Sequence, residues 1–168
     1  MLIPNFLAIL VAALVTLPIG FIWYHKSVFG NAWMKSIGKT EEQVRPKNMV
    51  VTLLLSILCG FLISLSLNNM VIHQFPLQSL MMATPEAFTD PNSEAGKLFT
   101  TMMTKYMNEF RTFKHGALHG FLTGLLFIIP IYAVSYMHER RSFKLIMINA
   151  GYWVVTLAIM GGIICAWQ

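Results

Sequence analysis

The sequence predicts an all-α integral membrane protein. Its four helices form a bundle, with an amphipathic extracytoplasmic helix between spans two and three. Three observations predict this. Of 168 residues, 56% are hydrophobic and only 11% are charged, against about 25% charged in an ordinary soluble domain. The mean hydropathy is +0.62. The charges are also segregated: residues 1–25, 48–85, 115–138 and 145–168 contain no Asp, Glu, Lys or Arg. A soluble fold needs a charged skin that the remaining residues cannot supply, which sets aside soluble, disordered and fibrous classes. Cys59 and Cys165 are the only cysteines. They form no disulfide framework or metal knuckle and read as core residues.

A helix crosses a hydrocarbon core of roughly 30 Å with about 20 apolar residues. Each uncharged run is long enough for one crossing, giving spans at about 3–24, 50–72, 116–137 and 145–166 in a single membrane domain, 1–168. Runs such as VVTLLLSILC (50–59) and FLTGLLFIIPI (121–131) carry none of the 2.5–3.5 kcal/mol that a mid-membrane Lys or Asp costs. Backbone groups in lipid must then be satisfied within helices, and the dyad alternation of a barrel is lacking.

The first span lacks a basic leader and an A-x-A site, and ends at Trp23-Tyr24-His25-Lys26. It reads as a membrane anchor rather than a removable signal. Pro18 and Pro130 lie inside spans and predict local kinks. His73-Gln74-Phe75-Pro76 and Pro85 read as turn and interface chemistry after span two.

Loop charge sets the orientation. The 26–47 gap carries Lys26, Lys35, Lys39, Arg45 and Lys47 against Glu41 and Glu42, net +3. The 138–144 gap is net +2, and the 86–114 gap is net zero. The positive-inside rule therefore places the first and third loops in the cytoplasm, with both termini and the middle loop extracytoplasmic. The pI near 9.4 is a topology signal and a contact with anionic lipid, with no nucleic-acid partner implied. Trp23 and Trp33 fall at the inner interface and Trp167 at the outer one.

Within the first loop, Phe29–Lys35 is a short amphipathic surface piece, and Thr40-Glu41-Glu42-Gln43 reads as a cap on a brief helix. The third loop closes spans three and four into a tight hairpin. In the outer loop Leu98, Phe99, Met102, Met103, Tyr106, Met107, Phe110 and Phe113 recur at steps of three and four. This predicts an amphipathic helix at about 94–112 capped by Ser93, on the outer leaflet or across the bundle mouth.

Chemistry-bearing residues are few. His115 and His119 in HGALHG share a helix face, about 6 Å apart along the axis. They suit proton relay, ligand binding, a metal, or interfacial hydrogen bonding. With His73 and the outer methionines, Met103 and Met107 among them, they define a thioether-rich copper candidate; the same methionines also suit core filling. Asn68, Asn69 and Asn149 are polar groups at or within the membrane, suited to interhelical hydrogen bonds or a ligand. Gly116-x-x-x-Gly120 is a small-residue face for the bundle or for a dimer. No intramembrane acid, nucleophile–base pair, P-loop or His-Glu-x-x-His is present.

Three stretches carry a resemblance. Asn5–Ala13 (NFLAILVAA), Trp23-Tyr24 with Phe29-Gly30 and Trp33-Met34, and Ile148–Trp153 (INAGYW) with Met160-Gly161 together resemble the membrane family catalogued as domain of unknown function 1761. The likeness covers nearly the whole chain. It implies a four-helix bacterial inner-membrane protein, and it implies no activity, cofactor or catalytic residue. The expected function is that of a non-enzymatic accessory or interaction protein without cofactor. Its partners would be membrane lipid and a homodimer mate or another membrane protein. One alternative is a homodimeric transporter or channel with a polar face of His119, Asn149 and Asn68. Another is copper binding at the outer face through His115, His119 and methionines.

Overall fold

The computed structural model describes residues 2–167, which are all-helical with no strand among them. Four helices are long and apolar enough to cross a membrane: Phe6–Trp23, Met49–Val71, Phe113–His138 and Phe143–Ala166. Each begins on a short polar side chain that accepts a first-turn N–H. These caps are Asn5 from Ala8, Asn48 from Val51, Thr112 from His115 and Ser142 from Leu145. Such caps satisfy donors that the helix leaves orphaned. The third span starts three residues before the expected 116, because Thr112 sets the start and Lys114 lies in the first turn. The segregated charge, the match to four spans and the absence of strands among the described residues make this a four-span membrane bundle.

The spans bury unequal shares of themselves. In span four 56% of the apolar window is buried, against 28%, 17% and 11% in spans one, two and three. Span four is thus the hub, and the others keep apolar faces turned outward, as at Leu54, Leu126 and Phe127. Where lipid is the solvent such faces cost nothing, and close packing holds the helices together. Small residues mediate it. Ala13 and Thr16 of span one meet span two at Gly60, where an added Cβ would stand 2.9 Å from the Ala13 carbonyl. Gly116 and Gly120 admit the backbone of span four at Gly161 and Leu157. The Gly-x-x-x-Gly face therefore serves the bundle itself.

Both prolines act as expected. Pro18 denies an N–H to the Leu14 carbonyl, and span one breaks into Phe6–Leu14 and Thr16–Trp23. The Tyr152 hydroxyl donates to the Thr16 carbonyl beside this break (2.9 Å). Before Pro130, the helix widens into a π-turn at Gly124–Ile128, which absorbs the missing bond.

Thr40 forms a reciprocal capping box with Gln43, and Ser93 caps the outer helix, both as the sequence indicates. The outer helix spans Glu94–Tyr106 and stops six residues short of the expected end. The buried Gln74 amide donates to the Tyr106 and Glu109 carbonyls (2.6 and 3.1 Å). Phe110 turns left-handed (φ 62°), freeing Thr112 to cap span three. Phe99, Met102 and Met103 of the apolar stripe face inward, whereas Leu98, Tyr106 and Met107 are exposed. The helix packs on two short helices, Gln74–Met81 and Glu86–Thr89, in a stretch whose prolines suggest only turns. Pro76 falls in the first turn of Gln74–Met81, where it costs no hydrogen bond. Gln78 pairs with the backbone of Leu2, and Arg111 donates to the Cys165 and Trp167 carbonyls (2.8 and 2.6 Å). Both ends of the described chain and the 72–112 segment therefore share one face of the bundle. The basic loops lie at the opposite face.

Candidate functional site

Span three presents two stripes one residue apart. Gly116 and Gly120 face span four. Rotated by about 100°, His115 and His119 form the second stripe, with ring centroids 4.5 Å apart. Span two ends beside them, and its next residues, Ile72 and His73, bring a third imidazole into the group. The His73 ring lies 4.9 Å from His115 and 5.0 Å from His119. One ligand nitrogen from each ring fits within 4.8 Å of the others. His73 Nε2 and His115 Nε2 are 2.9 Å apart, sharing one hydrogen bond. His115 and His119 are half-buried and His73 is exposed.

Phe110 closes one side of the cluster. Its ring stacks on His115 at 5.0 Å and meets His73 edge-on at 6.1 Å. The left-handed backbone that aims it there is held by its carbonyl, which accepts from Thr112 N and from Cys165 Sγ (2.8 and 3.2 Å). His73 and Phe110 also border a cavity of about 420 Å³, with Leu77, Met102, Tyr106 and Glu109 in its wall.

Three neutral imidazoles suit zinc, copper, nickel or iron. Tetrahedral zinc with bonds of about 2.0–2.1 Å sets its ligands roughly 3.3 Å apart, within reach of a cluster this tight after side-chain rotation. Three protein ligands leave a fourth position open to water or a small ligand. The outer methionines differ in their exposure. Met103 is buried, Met70, Met82 and Met107 are exposed, and Met102 alone of the outer-helix methionines borders the cavity that His73 lines. The three nitrogens form a donor set without any thioether.

The asparagines lie apart from this cluster. Asn149 sits at the basic end, accepting from the Tyr24 hydroxyl (3.0 Å) and donating to the Tyr136 hydroxyl (2.8 Å). It ties spans one, three and four together. Asn149 precedes Leu157, which meets Gly120, by eight residues or about 12 Å of helix. A single polar face of His119, Asn149 and Asn68 is therefore not formed. Asn68 is buried with its Nδ2 unpaired among the described residues, as is Ser64 Oγ one turn earlier. Asn69 is exposed. Of the cysteines, Cys165 is buried as expected, but Cys59 is exposed on span two, where it lines an open cavity with Leu17 and Trp153.

Sequence spacing pairs His115 with His119 but gives no reason to single out His73, 42 residues earlier, from the outer methionines. A histidine directly after an apolar span, on the same side of the membrane as the pair, is the signal that could have done so. Neither curated proteins nor solved structures give a match to this chain. The family comparison does, over residues 7–165: the chain belongs to the DUF1761 family of proteins of unknown function.

Proposed function

We propose that this chain is a membrane-embedded accessory protein that binds a divalent transition metal at the face carrying its termini, through His73, His115 and His119. The observation that supports this reading is the convergence of three imidazoles from two elements on one point, roofed by a strained aromatic residue. Such strain persists only where the surroundings hold it. Zinc is the preferred ion, since it accepts tetrahedral nitrogen sites with one open position. By the distribution of Lys and Arg the site faces away from the cytoplasm, where a metal would be met before it crosses the membrane.

The test is metal binding by purified protein, read by elemental analysis and by calorimetry with zinc chloride. One zinc per chain is expected. His73→Ala, His115→Ala and His119→Ala should each weaken binding by at least about tenfold, whereas Asn149→Ala at the opposite end should leave it unchanged. Acidification to about pH 5 should release the ion, because protons compete for the imidazole nitrogens. Equal zinc affinity in all three histidine variants sinks the reading.

A further inference from the structure

The bend at Pro18 shapes the opposite end of the bundle. Contacts between spans one and two are dense in the half with Phe6–Leu14 and sparse in the half with Thr16–Trp23. Past the bend the two helices diverge. The wedge between them is a cavity of about 550 Å³, with Leu17, Leu55, Cys59 and Trp153 in its wall. It shares Gly20, Phe21 and Tyr24 with a second cavity of about 670 Å³ at the membrane boundary. Lys26, Arg45, Glu41 and Trp33 border that mouth. The two form one trough, apolar within the membrane and cationic where it opens.

The charges at the mouth are unequal. Glu41 takes Lys26 at 2.6 Å and stands 3.6 Å from the Arg45 guanidinium, so one carboxylate faces two cations. The Arg45 side chain is 73% exposed, free to reach a ligand. The surrounding 26–47 segment carries five basic residues and two acidic ones. Along the wall, Thr52 to Cys59 covers about 10 Å of helix, a length that suits the first part of an acyl chain.

We propose that this trough holds one phospholipid with an anionic headgroup. Its phosphate sits at Arg45 and Lys26, and one acyl chain lies against Leu17 and Leu55. The charge imbalance at the mouth favours an anionic over a zwitterionic headgroup, since basic residues at a membrane surface attract anionic lipid. The site lies at the opposite end from the histidines and does not depend on the metal reading.

The test uses purified full-length protein in neutral detergent, with lipid retention read by native mass spectrometry. Phosphatidylglycerol and phosphatidylcholine of identical chains are offered in equal amounts, and inorganic phosphate alone forms a third arm in thermal unfolding. The wild type should retain phosphatidylglycerol about tenfold over phosphatidylcholine. The Lys26→Gln/Arg45→Gln double variant should lose that preference. Leu55→Trp, which fills the slot and keeps every charge, should lose retention of both lipids. Leu54→Trp, on the outward face, should behave as wild type and serves as the folding control. Equal retention of the two lipids by the wild type overturns the proposal. So does a preference that survives both trough variants, or a stability gain that phosphate reproduces without lipid.

Discussion

Gly120→Ala adds one methyl group to the contact between spans three and four, and the structure opposes two effects there. A Cβ at this position would overlap the Leu157 carbonyl oxygen, and would stand 2.6 Å from the Leu157 carbonyl carbon and 3.0 Å from Ala158 Cα. Ordinary carbon contacts are about 3.5–4.0 Å. Both neighbours are backbone, so no rotamer change relieves the overlap and span four must withdraw by about 1 Å. At that gap each atom pair loses up to about half of its 0.1–0.2 kcal/mol. Over roughly 30 pairs along the Gly116–Gly120–Gly124 face this comes to about 2 kcal/mol, in line with the 1–3 kcal/mol typical of overpacking. Alanine returns about 0.5–1 kcal/mol as the better helix former. The net expectation is destabilisation of about 1–2 kcal/mol. The assay is reversible unfolding in mixed detergent, beside Leu126→Ala as a lipid-facing control (62% exposed). That control should change stability by less than about 0.5 kcal/mol. A Gly120→Ala protein as stable as the wild type refutes the packing argument.

Two further outcomes follow from the loops at the basic face. The hydrogen bond and charge of Lys26, with Arg45 adding less, hold the Glu41 carboxyl below its ordinary value. A carboxyl depressed on folding stabilises the protein above its unfolded value, about 4.3, and loses that contribution as pH falls through the folded value. The stability gap between wild type and Glu41→Gln should therefore be present near pH 7 and shrink as pH falls below about 4.3. The pair is exposed, so added salt should shrink the gap; a gap independent of pH contradicts the ion pair. At Arg140, left-handed backbone (φ 54°) closes the third span with Arg141 N donating to the Tyr136 carbonyl (2.8 Å). Gly38 occupies the equivalent position after Asn31–Ile37, at φ 66°. Arg140→Gly should thus raise stability by about 0.5–1 kcal/mol, read as a higher unfolding midpoint.

What the order of residues determined was the solvent. The uncharged runs, and the polar residues Asn48 and Ser142 just ahead of two of the helices, set where helices cross and where those two begin, because lipid penalises ions and unpaired backbone locally, residue by residue. Pro18 and Pro130 announced their own distortions for the same reason: a missing N–H is a local property. Tertiary structure decided everything that depends on distance across the bundle. The apolar stripe through Phe110 reads as continuous helix, yet the Gln74 amide ends that helix at Tyr106 from 32 residues away. Asn149 looked like one wall of a polar passage and is a strut between two tyrosines. His73 gains meaning only because span two ends where span three begins. Periodicity sorts side chains onto faces of one helix, but which faces meet is settled by glycine-thin contacts whose energies exist only after the helices have found each other.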